Sequence, residues 1–214
     1  MFAMLLNSPT FVTFLIASLV LAITPGPGVI YIVAHTFGQG RKAGLSSVGG
    51  IALGNLGNAT VASLGLAAVL AASPTAFVIM KLAGAAYLVY LGLKTLCASH
   101  AAETAKRPAG SSSSQLFCDG CIVALLNPKT ALFFAALLPQ FIIPGAPPLA
   151  QSLLLGCAFV CIAMCTDSIY VLMATALGPR IRRSSARPIG KYVTAATFVG
   201  LGVYAAFASP RMPK

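Results

Sequence analysis

Acidic residues are almost missing from this chain: three Asp and Glu stand against fourteen Lys and Arg, and charged residues of both signs fill only 8% of its 214 positions. Soluble domains carry about 25%, so the chain has too little charge to cover a water-exposed surface, and a soluble globular domain is excluded. Tryptophan is absent and histidine occurs twice. Two histidines and three acids provide no hydrolase constellation, so no enzyme is expected. No cofactor or metal motif is expected either. A positive segment ahead of the first apolar run is also missing, since Met1 to Asn7 carries no Lys or Arg. A cleavable signal peptide is therefore not expected, and the first apolar run should remain as a helix.

What the chain has in excess is apolar length. Hydrophobic residues make up 58% and mean hydropathy is +0.91. Charge-free intervals run over 1–40, 43–80, 130–166 and 192–210, and the first three far exceed the roughly 20 residues that one membrane-spanning helix needs. The net charge of +11 does not point to nucleic acid, because the basic residues fall in short clusters between apolar runs. Such clusters set membrane orientation instead. The fold class expected is all-α, a polytopic membrane protein with six transmembrane helices at 9–37, 43–72, 74–96, 117–143, 149–177 and 188–208.

Punctuation supports these bounds. Ser73-Pro74 reads as an N-cap with proline at the first helical position, Gly178-Pro179 as a stop, and "IIPGAPP" at 142–148 as a tight turn. The serine-rich segment 99–116 reads as a flexible cytoplasmic linker between two three-helix repeats, 1–98 and 117–214. Ten Lys and Arg lie in or beside the loops after spans one, three and five, while Arg211 and Lys214 alone lie on the other side. The positive-inside rule then puts the three basic loops in the cytoplasm and both termini outside.

Each repeat contains an odd number of spans, so the second must start on the opposite side from the first. Two halves of one fold arranged this way form a 3+3 inverted repeat. "AITPGPGVIYIVA" in the first span aligns with "LLNPKTALFFAAL" in the fourth, which pairs Thr24-Pro25 with Asn127-Pro128. Both first helices of the repeats are thus expected to be broken at proline. In hydrocarbon a break is tolerated only where protein or a wet cavity covers it, and matched breaks point to a transporter's binding site. The plainer reading is a pair of unrelated proline kinks.

Several segments also resemble a known family. "TPGPG" at 24–28, "GQGRKAG" at 38–44, "GIALG" at 50–54, "KLAGAAYLVYLG" at 81–92 and "LLNPKTALFFAALLPQF" at 125–141 are similar to the lysine exporter/homoserine–threonine resistance (LysE/RhtB) family of bacterial amino-acid exporters. The resemblance spans nearly the whole chain, with departures at Asp119 and at Asn58, where relatives often have His. It implies an inner-membrane protein that exports amino acids, homoserine- or threonine-like, neutral or basic. It also implies exchange for protons and a homodimer.

An amino-acid zwitterion needs an acceptor for its ammonium and a donor for its carboxylate. Pro25 and Pro27 lack N–H groups, so the carbonyls of Leu21 and Ile23 lose their helical partners and are expected to face a cation. The N–H groups of Gly26, Gly28 and Val29 open the next half-helix, whose start favours an anion. By the same reasoning Pro128 frees the carbonyl of Ala124, Asn127 can donate and accept, and Lys129 can attract a carboxylate. A charge at mid-span costs about 2.5–3.5 kcal/mol or more unless paired or wet, so Lys129 is not expected to face lipid. Thr24, Pro25, Gly26, Pro27, Gly28, Asn58, Asn127, Pro128 and Lys129 form the expected substrate site. Asp167 is the acid placed deep in a span, and a carboxyl that can take up and release a proton there is expected to couple transport to protons. A permanent Asp167–Lys129 pair is the structural alternative. Lys81 lies near its span's end and can snorkel outward.

Two rival functions come from the six cysteines. Cys157, Cys161 and Cys165 fall on one helix face, which with Met164 and Asp167 could carry a soft metal such as cadmium. As small apolar fillers they need no ligand. "CDGC" at 118–121 has thiol-redox spacing without a surrounding βαβ pattern, which leaves membrane thiol transfer as the weaker rival. Ser46, Gly50, Gly54, Asn58 and Ala62 form a small-residue stripe suited to close helix packing.

Overall fold

The computed structural model describes residues 9–72, 111–143 and 146–181, with isolated positions between 75 and 93 and between 196 and 207. The expected third and sixth spans, with Lys81 and Tyr87, fall outside the continuously described stretches. Among the described residues all regular structure is helical: α1 (Pro9–Ile23), α2 (Pro27–Gln39), α3 (Arg41–Ala72), α4 (Ser113–Leu125), α5 (Pro128–Leu137), a 3-10 turn (Leu138–Phe141) and α6 (Pro148–Ile181). Large apolar side chains cover the outer surface, Ile16, Ile30, Val61 and Ile169 among them. The chain is an all-helical membrane protein.

Local chemistry sets the helix ends. Proline opens α2 and α5, where its missing N–H would have had no helical partner in any case. A single residue, Gly40, joins α2 to α3 at φ 85°, a left-handed conformation that glycine adopts without steric penalty. The start of α4 differs from expectation. Ser113 to Leu116, expected in the linker, form its first turn, and Ser112 Oγ accepts a hydrogen bond of 3.2 Å from Gln115 N. A serine run resembles a flexible segment in composition, but serine is also a preferred helix cap, and here the cap decides.

The axes of α1 and α2 diverge by 48° across residues 24–26, and those of α4 and the α5 segment by 46° across Leu126 and Asn127. By length and apolarity, Pro148–Ala176 of α6 is long enough to cross a membrane unaided, and each bent pair is long enough if counted as one span. The 32-residue α3 runs through the middle and packs against α2, α4, α5 and α6. It approaches α4 so closely that a side chain at Gly50 would meet the carbonyl of Phe117, and one at Gly54 the carbonyl of Cys121. The small-residue stripe is therefore the α3–α4 contact.

Two apolar clusters form the interior. The larger joins α1, α5 and α6 through Phe14, Phe133, Phe134, Phe141 and Phe159, with the Phe134–Phe159 and Phe14–Phe141 ring centroids 5.0 and 5.2 Å apart. The smaller consists of Ile32, Val48, Ile51, Ala124 and Val171. Beyond the larger cluster, the buried Gln151 fastens the turn before α6: its Oε1 accepts from Ile143 N at 3.0 Å, and its Nε2 donates to the carbonyls of Ile143 and Ala146 at 2.9 and 3.0 Å.

Candidate functional site

The two bends meet between the apolar clusters. There a cavity of about 40 Å³ is lined by Gly26, Gly28, Val29, Asn55, Asn127, Lys129, Thr130 and Asp167, with Leu21, Ala22, Ile51, Phe159 and Ala163 as its apolar wall. A water needs roughly 10–15 Å³ by such a measure, so the cavity has room for a few waters and for no amino acid.

Lys129 dominates the site. Its side chain is 7% exposed, and its ammonium crosses from the second bend to the first, donating to the carbonyls of Leu21, at 2.6 Å, and Thr24. Hydrogen bonds from a charged donor contribute about 1.5–3 kcal/mol each. Two of them offset the roughly 2.5–3.5 kcal/mol that a mid-membrane charge costs, which explains how an ammonium is held there. Glycine at 26 makes the approach possible: a Cβ there would lie 3.1 Å from Lys129 Cδ and 3.6 Å from its Nζ. The Gly26 backbone is extended, at φ −142°, so space and not torsion calls for glycine.

The remaining carbonyls at the bends are also occupied. Ile23, expected to face a cation, instead accepts from the Tyr170 hydroxyl. Ala124 accepts from Asn58 Nδ2 at 2.8 Å and from Asn127 N at 3.1 Å. Open donors lie at the helix starts. No side chain caps α2, which leaves the N–H groups of Gly28 and Val29 beside the cavity. Asn127 Oδ1 caps α5 by accepting from Lys129 N at 3.0 Å, leaving the Thr130 N–H at the same wall. Asp167, 7% exposed, faces the cavity from α6. Among the described residues no cation lies within 4.0 Å of its carboxylate and no hydrogen bond reaches it.

Of the residues singled out in the sequence, Gly26, Gly28, Asn127, Lys129 and Asp167 line the cavity. Thr24 contributes its carbonyl, and Pro25, Pro27 and Pro128 shape the bends without lining the space between them. Asn58 lies off the cavity, bound to Ala124; Asn55, one turn earlier on α3, lines it instead. Sequence reasoning missed Asn55, Tyr170 and Phe159. The first was detectable as a second polar residue in "GNLGN", whereas nothing local distinguishes the other two from packing aromatics. Cys157, Cys161 and Cys165 are exposed on α6, away from the cavity lining.

A helical membrane protein with two bent helix pairs converging on a small charged cavity is the class that these features define. A model of the LysE type translocator family matches residues 19–209. The chain is 33% identical over 169 residues to the homoserine/homoserine lactone efflux protein of Salmonella typhimurium, covering 79% of this chain and 82% of that one. It is 30% identical over 196 residues to an uncharacterized membrane protein of Vibrio cholerae, covering 91% and 95%. To the leucine efflux protein of Salmonella typhimurium it is 31% identical over 139 residues, covering 63% and 64%. No solved structure matches. The chain belongs to the LysE type translocator family.

Proposed function

We propose that the protein is a secondary transporter that exports neutral amino acids across the bacterial inner membrane in exchange for protons. The observation that carries the reading is the presence of one ammonium, Lys129, and one carboxylate, Asp167, on the wall of a single cavity between two half-helix starts. Such a site complements a zwitterion: Lys129 and the N–H groups of Gly28, Val29 and Thr130 take the carboxylate, and Asp167 with the carbonyls of Leu21 and Thr24 takes the ammonium. A cargo with a second cation finds no second acid among the described residues of the cavity wall. Relatives named for homoserine and for leucine, both neutral zwitterions, agree with this choice, while homoserine lactone, which shares the first name, carries the ammonium with an ester carbonyl in place of the carboxylate.

The bent pairs are read here as broken spans related by a 3+3 inverted repeat, with Thr24-Pro25 and Asn127-Pro128 as equivalent positions. That reading accounts for matched bends of 48° and 46°. Soft-metal export has less support, because the cysteine face of α6 turns away from the cavity. Efflux from proteoliposomes loaded with homoserine, leucine, lysine or Cd²⁺ tests the reading. Homoserine and leucine are expected to leave at least about tenfold faster than lysine, the scale of a single unpaired charge at about 1.4 kcal/mol. Cd²⁺ efflux without amino-acid efflux would reverse the assignment.

Orientation rests on the ten-to-two basic asymmetry, which assigns residues 99–112 to the cytoplasm and both termini to the outside. A cysteine introduced at Ser112 in a cysteine-free background is expected to react with an impermeant maleimide only after the cells are opened. Reaction in intact cells would reverse the topology.

A further inference from the structure

We infer that Lys129 occupies the seat that the cargo's own α-ammonium takes during transport, so that the lysine is a tethered stand-in which a plain amine does not dislodge; the inference rests on the amino-acid cargo proposed above. The seat is the pair of carbonyls of Leu21 and Thr24 at the end of α1, and its present occupant is a primary ammonium, the same donor group that an amino acid carries. The lysine stem lies over Gly26, and the ammonium binds backbone oxygens while the Asp167 carboxylate, on the same cavity wall, has no cation within 4.0 Å. Two opposite charges share a cavity without pairing, and each remains available to a ligand of the other sign.

The exchange that follows balances its partners. An entering α-ammonium takes the Leu21 and Thr24 carbonyls, and the displaced Lys129 ammonium takes the cargo's carboxylate beside the start of α5. Both ammonium groups keep a partner throughout. A plain amine has no carboxylate to offer, so taking the seat puts two ammonium groups in a buried site with Asp167 as the one anion of its described wall. Selection for amino acids over amines of identical shape thus arises from what Lys129 loses as much as from what the cargo gains. The cavity, too small for an amino acid while Lys129 lies across it, gains space by the same movement.

The test uses the full-length protein in detergent, with leucine and 3-methylbutylamine, its counterpart lacking the carboxylate. The wild type is expected to bind leucine at least about 100-fold more tightly than the amine, and Lys129→Met to bring the two within about threefold of each other. Propylammonium should raise the unfolding temperature of Lys129→Met saturably and leave that of the wild type unchanged. If Lys129→Met does not fold, Lys129→Ala purified in propylammonium supplies the reading: recovery of a monodisperse protein supports the seat, and aggregation with and without the amine overturns it. Leucine binding by the wild type with no propylammonium effect on a folded Lys129→Met overturns the seat alone. A wild type that binds no amino acid, beside a propylammonium-stabilised Lys129→Met, instead overturns the proposed cargo.

Discussion

Asp167→Asn is expected to abolish uphill efflux driven by a pH gradient while still binding cargo through the Leu21 and Thr24 carbonyls, about tenfold more weakly for the lost charge. The amide keeps the shape of the acid and removes its ability to release a proton, which makes it a fixed copy of the protonated form. Asp167 is 7% exposed, faces the cavity, and has neither a cation within 4.0 Å nor a hydrogen bond among the described residues. A carboxyl fixed in a permanent ion pair would resist changing its protonation, whereas this one is free to respond to what enters beside it. Proteoliposomes with and without an imposed pH difference distinguish the outcomes. The variant should equilibrate labelled leucine down its own gradient yet fail to concentrate it. Proton-driven accumulation at the wild-type rate would remove Asp167 from the coupling step.

Gly26→Val is expected to reduce transport by about 100-fold or more and to lower the unfolding temperature. A Cβ at this position already falls within 3.1 Å of Lys129 Cδ, and the two methyl groups of valine extend into the path of the lysine stem. The ammonium is then pushed from the Leu21 and Thr24 carbonyls, and each buried polar group left without a partner costs about 1–3 kcal/mol. Because the Gly26 backbone is extended, valine introduces no torsional strain of its own, and the effect reports space alone. Adding Lys129→Met to Gly26→Val should recover part of the lost stability but none of the transport. A Gly26→Val protein with normal efflux and melting would show that Lys129 reaches its carbonyls by another route.

Proline made the two bends legible in the sequence, and scarcity drew attention to Lys129 and Asp167, since an isolated charge in a long apolar run has few structural uses. The identity of the groups that fill each gap was not legible. Removing an N–H at Pro25 or Pro27 announces a carbonyl in need of a donor, but the donors, Lys129 and Tyr170, lie more than a hundred residues away in the chain. That Asn55 lines the cavity while Asn58 binds Ala124 was not legible for a related reason. On a helix surrounded by apolar partners the usual polar face is missing, so periodicity no longer says which side of α3 meets the cavity. The serines before α4 illustrate the opposite error, in which composition favoured a linker and a single hydroxyl decided for a helix.

The two apolar clusters on either side of the cavity are unequal, and the difference bears on which side of the protein parts more readily. Five phenylalanines bind α1, α5 and α6 together on the side that the proposed orientation makes external, and each aromatic ring buries about 150–250 Å². The opposing cluster is made of a few aliphatic side chains. Separating the aliphatic side disturbs less surface, so on the proposed orientation the bent pairs part more readily toward the cytoplasm than toward the outside.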